Sequence, residues 1–159
     1  MPIRTILVPT DFSDSANAAL ERANEFAEAF DARIVLLHVV DLHYQLMPSG
    51  VLVVPTPIPG SVMRRTEERA REALDALAAK MPRVGRRIVR RGHAREVTLA
   101  VADAVEADLI VMGTHGRRGV KHLFIGSVAE YVVRHARVPV ATVRAPAATA
   151  RPGRRGRPR

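Results

Sequence analysis

Apolar positions along the chain alternate between two periods. Ile3 to Val8, Arg33 to Val40, Val84 to Arg91, Asp108 to Met112 and Val138 to Val143 are short and rich in Ile, Val and Leu, which predicts five strands. Three are nearly continuous apolar runs, the pattern of strands covered on both faces. Between them the spacing becomes helical: Ala16, Ala19, Leu20, Ala23, Ala27 and Phe30 form one stripe. Ala70, Ala73, Leu74, Leu77 and Met81 form a second, which Pro82 stops. Val97, Val101, Ala104 and Val105 form a third, and Val128, Tyr131, Val132 and His135 a short fourth. Ser127 with Glu130 three residues on predicts a capping box at the start of that last helix.

Strict strand–helix alternation with crossovers of this length implies a doubly wound α/β domain, a parallel sheet with helices on both faces. In such sheets ligands sit beyond the carboxyl ends of the strands, which directs attention to the loops after Val8, Val40 and Met112. Two stretches exceed a minimal domain. Residues 41–60 hold Pro48, Pro55, Pro57 and Pro59 around an apolar Val51 to Val54, and read either as a lid or as a surface loop. Residues 145–159 contain little but Ala, Pro, Gly and Arg and are expected to be a disordered tail beyond a domain of residues 1–144.

Charge changes this picture little. Of 25 basic residues only Lys80 and Lys121 are lysines, and the tail carries +5 of the formal +9. The tail has no aromatic residue for stacking, so specific nucleic-acid binding is not expected. The chain has no cysteine, which excludes disulfides, thiolate metal sites and cysteine nucleophiles. The His residues form no ligand pair at helical spacing, so no protein-built metal site is expected. Without a signal-like apolar core or a long apolar run, a cytoplasmic protein off the membrane is expected.

The candidate chemistry lies in residues 111–127, VMGTHGRRGVKHLFIGS. A buried strand ends at Met112, a glycine-rich loop follows, and a helix begins near Ser127. Glycines let backbone N–H groups approach an anion, and a helix start adds unpaired donors and a positive dipole end. Gly113, Gly116, Gly126 and Ser127 are therefore candidate phosphate donors, with His115, Arg117, Arg118 and Lys121 as nearby charge. Neither a Walker A loop nor a dinucleotide fingerprint occurs, and a turn with a helix cap also accounts for the glycines. No nucleophile stands beside an evident base.

The spacing Gly113-x2-Gly116-x9-Gly126-Ser127 resembles the nucleotide-binding motif of the ATP-binding branch of the universal stress protein family. Ile6-Leu7-Val8-Pro9-Thr10-Asp11, the Asp108 to Gly116 segment and Val138-Pro139-Val140 are similar to that family as well. The resemblance implies a Rossmann-like sheet of five parallel strands in the order 3-2-1-4-5. It implies Pro9, Thr10, Asp11 and Val39 on the adenine and ribose side, Met112 and Gly113 at ribose and phosphate, and Gly116, Gly126, Ser127 and Val128 at phosphates. ATP would arrive with Mg²⁺ held by its phosphates, and a homodimer would form through Val138 to Val143. The implied role is a nucleotide-dependent regulator of a stress response acting on a protein partner. A slow ATPase or phosphotransferase, with His115 the candidate orienting group, and an interaction protein with a vestigial motif are the alternatives. Asp11 reads either as a ligand contact or as a cap beside Ser13.

Overall fold

The computed structural model describes residues 2–41, 59–114 and 125–145. The elements run β1 (Thr5–Pro9), α1 (Asp14–Phe30), β2 (Arg33–Val40), α2 (Gly60–Ala78), β3 (Val84–Arg91), α3 (Ala94–Ala104), β4 (Leu109–Gly113), α4 (Ser127–His135) and β5 (Val140–Val143). All strands are parallel in one sheet of order β3-β2-β1-β4-β5. This is the doubly wound architecture expected from the alternation.

Each face of the sheet has its own core. Ile6 and Val8 of β1 and Ile34 and Leu36 of β2 pack under α1 and α2, meeting Leu20, Ala23, Ala27 and Leu74. Leu7, Val35, Leu37, Ile88, Ile110 and Met112 point the other way and pack under α3 and α4, meeting Val101, Ala102, Ala129 and Val132. Burial on both faces explains why these strands carry unbroken apolar runs. Small residues on the inner stripe of α1, with Ala19, Ala23 and Ala27 fully buried, seat this helix close to the sheet.

Four element boundaries differ from those expected. β1 begins at Thr5 and β4 at Leu109 because Asp108 splices them with its side chain: Oδ2 accepts from the amides of Arg4, at 2.8 Å, and Thr5, at 2.9 Å. β5 is shorter than its pattern, starting after Pro139, whose carbonyl accepts from Ile110 N–H at 3.0 Å. α2 ends at Ala78, and the chain then tightens through Lys80 N–H to Leu77 O (3.1 Å) and Met81 N–H to Ala78 O (3.0 Å). Met81 still packs against the core from this turn.

α1 is capped at both ends. Ser13 Oγ accepts from Ala16 N–H at 3.3 Å, and Asp31 ends the helix in the left-handed region at φ 54°. The capping box expected at α4 does not form. Gly126 is the N-cap, Ser127 is already helical, and the Glu130 carboxylate pairs outward with Arg134 at 3.0 Å. No helix among the described residues is long and apolar enough to cross a membrane.

Leu36 is fully buried, so Leu36→Ala should lower the free energy of denaturant unfolding by about 2–5 kcal/mol. Phe30→Ala, at a residue 49% exposed, should cost far less. A second outcome concerns acid. Hydrogen bonding to Arg91, aided by the charges of Arg91 and Arg71, outweighs partial burial and holds the Glu67 carboxyl below its ordinary range. A lowered folded-state pKa gives stability that is present above the unfolded value and lost as pH falls through the folded one. The stability advantage of the native chain over Glu67→Gln should therefore vanish on acidification, as pH-dependent melting will show.

Candidate functional site

Among the described residues, β1 is the strand whose neighbours on the two sides lead chain crossovers to opposite faces. Its pairing with β2 continues to Pro9 opposite Leu37, and the Thr10 amide extends it by donating to Leu37 O at 2.8 Å. Its pairing with β4 is confined to Ile6 with Leu109 and Leu7 with Ile110. Beyond that point β4 turns to β5, pairing Met112 with Thr142 and Gly113 with Val143. A crevice therefore opens between Pro9-Thr10-Asp11 and Met112-Gly113, at the point where strand order reverses.

The β1 wall of the crevice is tied down residue by residue. Thr10 is buried, and its Oγ1 accepts from Phe12 N–H at 3.0 Å. The Thr10 carbonyl accepts from His38 Nδ1 at 2.8 Å, which places the ring proton on Nδ1. Phe12, held at φ 65°, lays its ring against His38 with centroids 4.6 Å apart. Asp11 Oδ1 accepts from Ser13 N–H at 3.1 Å, an Asx turn that leads into the α1 cap. Asp11 thus builds the local turn, whatever else it touches. Val39, half-buried at the end of β2, packs into the core shared with α3 and α4.

On the opposite wall, Gly113 is required by packing. A Cβ there would lie 2.7 Å from Ser15 Oγ and 2.8 and 2.9 Å from the Ser15 carbonyl carbon and oxygen. The first turn of α1 occupies that space, so the end of β4 must be glycine for the helix to sit this close. Met112 is buried in the core beneath it. Thr114 continues the β5 ladder, donating to Val143 O at 2.9 Å, and its carbonyl accepts from Gly126 N–H at 2.6 Å.

That last bond brings both ends of the glycine-rich segment together. Gly126 therefore spends its amide inside the protein, where the sequence suggested a donor for an anion. The donors left at this end are the first-turn amides of α4, from exposed Ser127, half-buried Val128 and buried Ala129, which the helix itself does not pair. Gly116, His115, Arg117, Arg118 and Lys121 lie outside the described residues. Most of the 41–60 connection also lies outside them.

The structure thus brings Pro9, Thr10, Asp11, Val39, Met112, Gly113, Gly126, Ser127 and Val128 to the carboxyl edge of the sheet. His38, Phe12 and Ser15 belong to the same edge and were not singled out from sequence. A polar His inside the apolar run of β2 was the available signal for the first of them. Two shallow clefts, of about 150 Å³ beside Leu99, Ile110 and His135 and about 180 Å³ beside Leu74 and Arg87, lie away from this edge.

The model of the universal stress protein family matches residues 2–144. The chain belongs to this family. Universal stress protein MJ0531 of Methanocaldococcus jannaschii is 32% identical over 149 residues, covering 90% of this chain and 83% of that protein. The solved structure of MJ0577, from the same organism, superposes with a TM-score of 0.77 at 25% identity, over 92% of this chain and 99% of that one. A universal stress protein solved in complex with cAMP has a TM-score of 0.60 at 26% identity, over 92% and 100% of the two chains. The five-stranded order and both helical layers are those of universal stress protein structures.

Packing at Gly113 yields a direct test. Gly113→Ala should destabilise the domain by roughly 1–3 kcal/mol in denaturant unfolding, since backbone atoms of Ser15 cannot rotate aside. An unchanged midpoint would show that α1 is not held where these contacts place it.

Proposed function

We propose that the crevice between β1 and β4 binds an adenine nucleotide, ATP in the first instance, and that the protein is a nucleotide-dependent stress regulator. The observation that carries this reading is the divergence of β1 and β4 beyond Leu7 and Ile110, with the start of α4 held beside the end of β4 by the Gly126 to Thr114 bond. The complex of a similar family member with cAMP supports an adenine nucleotide as the ligand class.

The residues fit such a group. Half-buried Pro9, Asp11 and Val39 with buried Thr10 form an ordered wall suited to a flat base and a ribose. Met112 and Gly113 form the opposite wall, and the first-turn amides of Ser127 and Val128 offer donors and a positive helix end to phosphate oxygens. Gly116 completes the motif from the segment between. Mg²⁺ would come bound to the phosphates, with water filling its remaining positions. Gly126, through its bond to Thr114, fixes where the helix start lies.

The same reading takes residues 1–144 as the functional domain, followed by a basic tail, in a cytoplasmic protein. It also includes a homodimer. β5 is an edge strand with half-buried Val140, Ala141 and Val143, and pairing edge to edge with a second copy covers the apolar strip extending from Val138. A ligand shifts a conformational equilibrium only through its differential affinity for two states, so signalling to a protein partner requires ATP to change an exposed surface.

Calorimetric titration with MgATP, using inorganic triphosphate as a charge-matched control, tests the site. Saturable binding of one ATP per protomer, at least about tenfold tighter than triphosphate, is the expected result. Gly126→Asp should abolish it without unfolding the chain, because Gly126 sits at φ −61° and ψ 150°, which any residue adopts. Equal binding of ATP and triphosphate, lost on adding salt, would contradict an adenine-reading site.

A further inference from the structure

From Lys80 to Arg95 the chain carries seven cationic side chains, Lys80, Arg83, Arg86, Arg87, Arg90, Arg91 and Arg95, and no carboxylate. The fold divides the arginines of β3 into two sets. Arg87 and Arg91 lie opposite Leu36 and Val40, on the face covered by α2, and both have acids: Arg87 reaches Asp75 at 2.8 Å and Arg91 pairs with Glu67. Arg83, just before the strand, reaches Asp31 at 2.6 Å.

Arg86 and Arg90 alternate with these and lie opposite Val35 and Val39, on the face that carries α3 and α4. Arg33 shares that face at the start of β2, its side-chain carbons passing 3.7–4.0 Å from where a Cβ on Gly85 would stand. The register shift between Ile34 and Val35 puts Gly85 out of step, which keeps Arg86 on this side. Arg33, Arg86 and Arg90 are all exposed, and none has a carboxylate partner among the described residues. The nearest helix on that face, α3, offers Glu96 and Asp103, and Asp103 is turned to Arg137 at 3.6 Å.

We propose that this uncompensated arginine row on the β3 edge binds the phosphodiester backbone of a nucleic acid, independently of base sequence and of the nucleotide crevice. Three observations favour that occupant. Arg86 and Arg90 are spaced about 13 Å apart along the strand, a span that meets several successive phosphates, which repeat every ~3.4 Å of axis on each strand. Every cation in the row is a guanidinium, whose planar fork matches a phosphate bidentately. No aromatic side chain lies on β3 to stack bases, so the contact positions a backbone without reading it.

The test uses the full chain and fluorescence anisotropy with a labelled 20-nucleotide DNA of mixed sequence, between 50 and 200 mM salt. Arg33→Gln/Arg86→Gln/Arg90→Gln should weaken binding at least about tenfold at low salt and flatten the log–log salt slope by about 2. An unrelated sequence should bind equally well. Arg151→Gln/Arg154→Gln/Arg155→Gln removes the same charge from the tail and should have the smaller effect. Thermal melting of both variants should match the native chain, since Arg33, Arg86 and Arg90 are exposed. Equal loss in the two variants, loss in the tail variant alone, or equal competition by polyglutamate of matched charge would each overturn the assignment.

Discussion

The candidate site exists because β1 is hydrogen-bonded on both sides while its two neighbours belong to opposite halves of the fold. Right-handed crossovers carry the chain from β1 through α1 to β2 on one face, and from β3 through α3 to β4 on the other. β1 and β4 are thus neighbours that no single crossover joins, and nothing in the sheet obliges them to stay paired to their ends. They part after Leu7 and Ile110, and the Asp108 carboxylate holds them together only at the amino end. A separation of the two strand ends at the switch point is the geometric consequence.

Its two walls are stiffened by different means. On the β1 side, side chains replace missing ladder bonds: Thr10, Asp11 and Ser13 each accept a nearby backbone amide, and His38 holds the Thr10 carbonyl from the next strand. This is a cost-effective way to fix a loop, since each bond satisfies a backbone group that burial would otherwise leave unpaired. On the β4 side the means is close approach, with Ser15 filling the space a side chain at position 113 would need. A surface prepared in this way loses little further entropy when it meets a rigid ligand.

Much of the fold was legible in the chain because parallel strands buried on both faces must be apolar throughout, and the four helices show their inner stripes at the right spacing. What escaped depends on residues distant in sequence. Gly113 looks like part of a phosphate loop until Ser15, nearly a hundred positions earlier, is seen against it. Ser127 looks like a helix cap, yet the bond from Gly126 to Thr114 draws the chain in one residue sooner and makes the glycine the cap. The two sets of arginines on β3 are indistinguishable in the run from Arg86 to Arg91. Only the register against β2, with Gly85 out of step, assigns them to opposite faces. Asp11 read from sequence as a ligand contact or as a cap beside Ser13; the cap is Ser13 itself, and Asp11 instead builds the turn before it by accepting from the Ser13 amide.

The central claim is that ligand recognition occurs where β1 and β4 diverge. Amide-resolved NMR during titration with AMP, which lacks the charge of a triphosphate, tests it most directly. Shifts concentrated at Thr10, Asp11, Val39, Gly113 and the first turn of α4, with the β3 edge unmoved, are what the account predicts. Saturable binding whose shifts cluster elsewhere, or the absence of any saturable shift at these amides, would contradict it.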